Sequence, residues 1–144
     1  MATTLPQLTP QEAVIYLMIM ASASDGSIHD AELRAIGRVV RSFPLFDAED
    51  EQELTGHSDR AAQLMASDGG LHKVIDAAKA ALPSHLVETA YAAVVDVVTA
   101  DEALNPEEIR ILEIIRDGLS VGDDGAAAIE HAARARHMTI EAPL

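Results

Sequence analysis

The chain has 144 residues, a formal net charge of -14 and no cysteine. This length suits one domain with a buried core, and the lack of cysteine excludes disulfides and thiolate-based metal sites or nucleophiles. The negative charge repels phosphate backbones, so we expect no binding to nucleic acid. Apolar residues make up 49% of the chain and aromatic residues only 3%. A core of Ala, Leu, Ile, Val and Met favours an all-α fold.

The N-terminal segment has no Lys or Arg before its first apolar run, so no signal peptide is predicted. That run, Ala13 to Ala23, is shorter than the roughly 20 residues that cross a bilayer. We therefore expect a cytoplasmic protein without membrane insertion.

Helix-capping residues delimit the first two predicted helices. Thr9, Pro10 and Glu12 have the spacing of N-cap, N1 and N3. The helix that they begin is apolar on almost every face, which is typical of a helix buried in the middle of a fold. A second, amphipathic helix begins near Asp30 and stops before Pro44.

The middle of the chain predicts three shorter helices. Asp47 is placed to cap an acidic helix that ends at Gly56, and Ser58 to cap another. A turn at Asp68 then precedes a helix over residues 71–82.

A second apolar helix, an amphipathic helix and a last helix are predicted in the remainder. The apolar helix follows Pro83, and Asn105 and Pro106 then begin an amphipathic helix for which Gly118 is the predicted C′ residue. The last helix covers residues 126–137, and no segment has the alternation of a strand.

The two halves of the chain repeat with an offset of 76 residues, which separates Asp25 from Asp101 and Glu32 from Glu108. Each half consists of an apolar helix, an acidic turn with one apolar anchor, and an amphipathic helix. Two such hairpins predict a pseudo-symmetric bundle, with the apolar helices packed together at its centre and the acidic turns able to meet at one end.

These patterns predict an all-α, single-domain bundle of about seven to eight helices. The helical domain covers residues 10–137, and residues 1–9 and 138–144 form terminal tails.

The acidic turns carry a family resemblance. Residues 23–28 (ASDGSI) followed by Glu32, and residues 99–104 (TADEAL) followed by Glu108, resemble the paired A-x-D-G-x-[IL]-x-x-x-E motifs of TerB, the tellurite-resistance-associated family. The resemblance covers roughly residues 10–137. Each motif alone is weak, whereas two in this order around buried helices are more specific.

The resemblance implies an all-helical domain that binds a metal ion through Asp25, Glu32, Asp101 and Glu108. Glu102 stands where the motif usually has Gly, which alters the second turn and adds a carboxylate. Secondary candidate ligands are Glu102, Glu107 and Asp96. Oxygen ligands favour Ca²⁺, Mg²⁺ or Mn²⁺, and no organic cofactor is expected.

The sequence leaves two interpretations of these carboxylates open. Four carboxylates around one point repel each other strongly, and a divalent cation relieves that repulsion. Alternatively, each carboxylate caps a helix and complements its dipole, a contribution of about 0.3–1 kcal/mol. Asp96, within the second apolar helix, is expected to hydrogen-bond to a neighbouring Ser, Thr or backbone group, with a cation ligand or proton site as the alternative.

The sequence thus predicts an acidic binding module for a divalent cation, acting in tellurite resistance or a stress response. The alternative is a metal-independent protein–protein interaction domain, because the same domain occurs in some J-domain co-chaperones. No P-loop, nucleophile elbow or dinucleotide fingerprint is present, so no enzymatic activity is expected. The expected partners are other proteins.

Overall fold

The computed structural model describes residues 5–23, 28–100 and 106–141. Within these ranges the chain is helical, without strands, which confirms the all-α prediction. Its elements are α1 (Pro10–Ser22), α2 (Asp30–Ser42), α3 (Ala48–Gln52), α4 (Leu54–Ala66), α5 (Gly70–Ala81), a 3₁₀ turn (Ser84–Leu86), α6 (Val87–Thr99), α7 (Pro106–Gly118) and α8 (Asp123–Arg136). No helix in the described ranges combines the length and apolar character needed to cross a membrane.

Helix α1 occupies the centre of the bundle. Every residue from Ala13 to Ser22 is buried, because α4, α5 and α6 pack against this helix and α2 and α7 also contact it. The predicted capping box begins it: Glu12 N–H donates to Thr9 Oγ1 at 3.1 Å, and Thr9 N–H donates to Glu12 Oε1 at 2.9 Å. A helix that is apolar on every face has to be enclosed by neighbouring helices in this way, because no face of it favours contact with water.

Helix α6 is the second central element and packs against α1 and α8. This contact confirms that the two apolar helices lie together. Helix α2 covers α6, and α7 contacts both α1 and α6. The bounds of α2 and α7, Asp30–Ser42 and Pro106–Gly118, differ by the offset of the sequence repeat. A pseudo-twofold relation between the two hairpins remains a prediction.

Helix α4 continues through two positions where the sequence predicts helix boundaries. Gly56 does not end a helix and Ser58 does not cap one, since both lie inside α4. His57, Ser58 and Ala61 are buried in this helix, which packs against α1. Tertiary packing here outweighs the local preference of Gly and Ser for helix ends.

The end of α7 also differs from the prediction. Gly118 is its last helical residue, and Ser120 takes the left-handed conformation with φ 59°. Val121 N–H donates to Arg116 O at 3.0 Å, the six-to-one bond of a Schellman motif. The glycine is instead required for close packing, because a Cβ at position 118 would lie 2.6 Å from Ile75 Cγ2 on α5.

Candidate functional site

The candidate metal ligands fall partly within the described residues. Glu32 and Glu108 are described, whereas Asp25, Asp101 and the secondary candidate Glu102 lie outside the described ranges. Among the residues that are described, no three His, Asp or Glu side chains form a group suited to a metal ion.

Glu32 contributes to the start of α2. Its Oε2 accepts a hydrogen bond from the backbone N–H of His29 at 2.9 Å, as the N3 residue of a capping box does. The side chain is neither buried nor fully exposed. The helix-capping interpretation therefore holds for one of the two oxygens of this carboxylate.

Glu108 occupies the equivalent N3 position of α7 and is more enclosed. Only 8% of the residue is exposed, whereas its neighbours Glu107 and Ile109 are exposed. Withdrawing an ionised carboxylate from water is costly unless it is paired or hydrogen-bonded. The repeated glutamates thus differ in their environment although their sequence positions match.

The start of α2 and the end of α6 line one cleft of about 170 Å³. Glu32 and Arg38 contribute to it from α2, and Val97 and Ala100 contribute from α6. Ala100 is followed directly in the chain by Asp101. The chain therefore enters the second acidic turn at the edge of the cleft that contains the glutamate of the first turn.

Asp96 forms an ion pair on the side of α6 that faces the end of α8. Its Oδ1 accepts hydrogen bonds from Arg136 Nη2 at 2.5 Å and from Arg136 Nε at 3.2 Å. His137 Nε2 lies 3.4 Å from the same oxygen. These partners differ from the neighbouring Ser, Thr or backbone group that the sequence predicts, because α8 returns a distant part of the chain to α6.

A further polar cluster, which the sequence analysis missed, connects α6, α7 and α8. Tyr91 Oη donates to Glu130 Oε2 at 2.7 Å, and Arg116 Nη2 donates to Asp123 Oδ1 at 2.6 Å. Burial, followed by the hydrogen bond and charge of Glu130, raises the pKa of Tyr91 above its ordinary value. The available signal was a lone phenol in an apolar helix, since buried hydroxyls usually have a partner.

This cluster borders a groove of about 310 Å³. Val95, Ile109 and Leu112 form its apolar walls, and Arg134 adds a cationic side chain. Ile109, which is 45% exposed, brings apolar surface to the rim of this groove. The groove is therefore a surface at which an apolar group can be buried.

A family model for the tellurite resistance protein TerB matches residues 11–131. No curated protein and no solved structure matches the chain. The matched region extends from α1 into α8 and includes both acidic turns. It covers most of the chain, so the resemblance carried by the paired motifs is confirmed. The chain therefore belongs to the TerB family of tellurite resistance proteins.

Proposed function

We propose that the domain binds a divalent cation through its two acidic turns, with Asp25, Glu32, Asp101 and Glu108 as ligands. The observation that carries this proposal is the shared cleft of Glu32 and Ala100, because Ala100 immediately precedes Asp101. Family membership supports a role associated with tellurite resistance. Glu102, Glu107 and Asp96 are secondary candidates.

Helix capping by Glu32 is compatible with metal binding. The capping bond uses Oε2, and a carboxylate has a second oxygen that can coordinate a cation. Hard cations are held by several oxygen ligands, so Ca²⁺, Mg²⁺ and Mn²⁺ suit this set better than softer ions. The formal net charge of -14 adds a long-range attraction for cations.

Thermal unfolding with and without each cation tests the proposal. A cation at a hundredfold excess over its Kd should stabilise the fold by about 2.7 kcal/mol, which raises the Tm by roughly 5–10 °C. The double variant Asp25→Asn, Asp101→Asn should lose this response without loss of apo stability, because it removes mutually repelling charges.

A matched control neutralises two exposed carboxylates elsewhere. Asp59→Asn, Asp76→Asn changes the net charge equally but lies on α4 and α5, so it should retain the response to the cation. Metal binding would be contradicted if no cation changed the Tm of the wild type and the Asp25→Asn, Asp101→Asn variant were less stable than the wild type. That result would support helix capping alone.

Metal-independent protein binding is a second candidate function. The groove between α6, α7 and α8 favours it, because exposed Ile109 and buried Tyr91 border a space that an apolar group can fill. In both proposals the domain binds rather than catalyses, and it acts in the cytoplasm in tellurite resistance or a stress response. An acidic surface attracts basic protein partners.

A further inference from the structure

Another cleft, of about 280 Å³, lies where α1, α4 and α5 meet. Ile19, Ile28, Met65 and Leu71 form much of its apolar wall. Leu71 is 37% exposed, so the wall reaches the surface. Ile28 is also the apolar anchor that follows the first acidic turn.

Among the described residues that line this cleft, Ser58 alone has a polar side chain. The residue is only 7% exposed, and its Oγ is buried without a hydrogen-bond partner among the described residues. A buried hydroxyl in this state is unfavourable, and Ala would be the better helix former at this position inside α4. A group that enters the cleft and hydrogen-bonds to Ser58 would remove the penalty.

The cleft belongs to a strongly acidic domain, whose formal net charge is -14. None of the described residues that line it is Lys or Arg. A partner whose apolar group is flanked by cationic residues is therefore attracted to the domain by its overall charge.

We propose that the cleft binds a tryptophan side chain from a basic segment of a partner protein, with Ser58 Oγ accepting a hydrogen bond from the indole N–H. Tryptophan joins a large apolar body to a single donor, which matches apolar walls with one hydroxyl. Met65 can adapt to the shape of the ring because its side chain is flexible and polarizable. This inference goes beyond both candidate functions, because it concerns a cleft separate from the groove between α6, α7 and α8 and requires no cation.

A designed peptide provides the probe. It is an amphipathic helix of Leu and Lys with one Trp on its apolar face, and its binding is measured in the presence of a chelator. The domain contains no Trp, so the Trp fluorescence comes from the peptide alone. Binding should shift the Trp emission to shorter wavelength. A peptide with Glu in place of Lys should bind at least about tenfold more weakly, because its charges repel the acidic surface.

The hydrogen bond to Ser58 is tested by a double-mutant cycle read by calorimetry. Ser58→Ala should weaken binding of the Trp peptide by about fivefold, and Trp→Phe in the peptide should weaken binding to the wild type similarly. Ser58→Ala should leave the affinity for the Phe peptide nearly unchanged. Equal effects of Ser58→Ala on both peptides would contradict the hydrogen bond.

The location is tested by filling the cleft. Ala62→Phe, at an exposed position of α4 that lines the cleft, should weaken peptide binding by at least about tenfold. Ala127→Phe, at an exposed position of α8, is the matched control and should bind as the wild type does. Circular dichroism establishes that both variants are folded.

The possible failures are distinguishable. If the peptide binds Ala62→Phe and Ala127→Phe equally well, the domain binds basic segments but the cleft assignment is wrong. If the wild type does not bind the Trp peptide at all, the inference is overturned. Neither result affects the proposed cation site, because the peptide is measured in chelator and the cation is tested by thermal unfolding.

Discussion

Arg136 Nη2 donates a hydrogen bond to Asp96 Oδ1 across 2.5 Å and so joins the end of α8 to α6. The Asp96 side chain is 12% exposed and that of Arg136 is 50% exposed. Arg136→Ala would leave a mostly enclosed carboxylate without its guanidinium, so we expect it to lower the free energy of unfolding by about 1–2 kcal/mol. Arg134→Ala, which removes no ion pair among the described residues, should cost less than about 0.5 kcal/mol. Urea unfolding of both variants measures the difference, and equal losses would contradict this role for the pair.

Stability in alkaline solution should depend on Tyr91. Its pKa is raised by burial and by Glu130, so the folded protein keeps the phenol proton at pH values where the unfolded chain loses it. The free energy of unfolding should therefore fall as pH rises above about 10, whereas the stabilisation is fully present below that pH. Tyr91→Phe removes this titration and should show a shallower decline between about pH 10 and 12. Parallel denaturation profiles for the two proteins over this range would disprove the prediction.

Substitutions of Gly118, at the end of α7, and of the left-handed Ser120 should change the stability of the protein in opposite directions. Ser120→Gly should stabilise the protein by about 0.5 kcal/mol, because relief of the left-handed strain exceeds the entropy that glycine adds to the unfolded chain. Gly118→Ala should destabilise it, since the new Cβ would press on Ile75. Thermal unfolding of both variants is the measurement, and a destabilised Ser120→Gly protein would refute the first expectation.

Capping and metal binding by Glu32 can be separated with an amide. Gln also occurs at N3 of capping boxes, so Glu32→Gln should change apo stability by less than about 0.5 kcal/mol while reducing the response to the cation. Glu32→Ala removes both roles and should destabilise the apo protein by about 1 kcal/mol. If Glu32→Gln retains the full thermal shift of the wild type with Mn²⁺, Glu32 is not a ligand.

Local sequence rules predicted the starts of α1 and α2. The Thr9–Glu12 capping box and the beginning of α2 near Asp30 depend on residues within one turn of each other. The local rules failed where tertiary packing determines the boundary of a helix. Gly and Ser favour the ends of helices, yet α4 continues through Gly56 and Ser58. The burial of α4 against α1 contributes more to stability than this local preference.

The candidate site was predictable from sequence only as a pair of repeated acidic turns. The sequence placed Glu32 and Glu108 at equivalent helix starts, but it could not indicate that the second would be buried and the first partly exposed. It also could not identify Arg136 as the partner of Asp96, because the two residues lie 40 positions apart. Such long-range pairs depend on the path of the whole chain rather than on local spacing.

The enclosure of α1 has a consequence for the order of events during synthesis on the ribosome. This helix leaves the exit tunnel before the helices that cover it, and its packing against α6 and α7 requires the chain as far as Gly118. Until then the apolar segment of the nascent chain from Ala13 to Ala21, which is buried in the folded domain, remains partly exposed to water. Partly made chains of this kind are prone to aggregation. The domain should therefore depend on nascent-chain chaperones more than its small size alone would suggest.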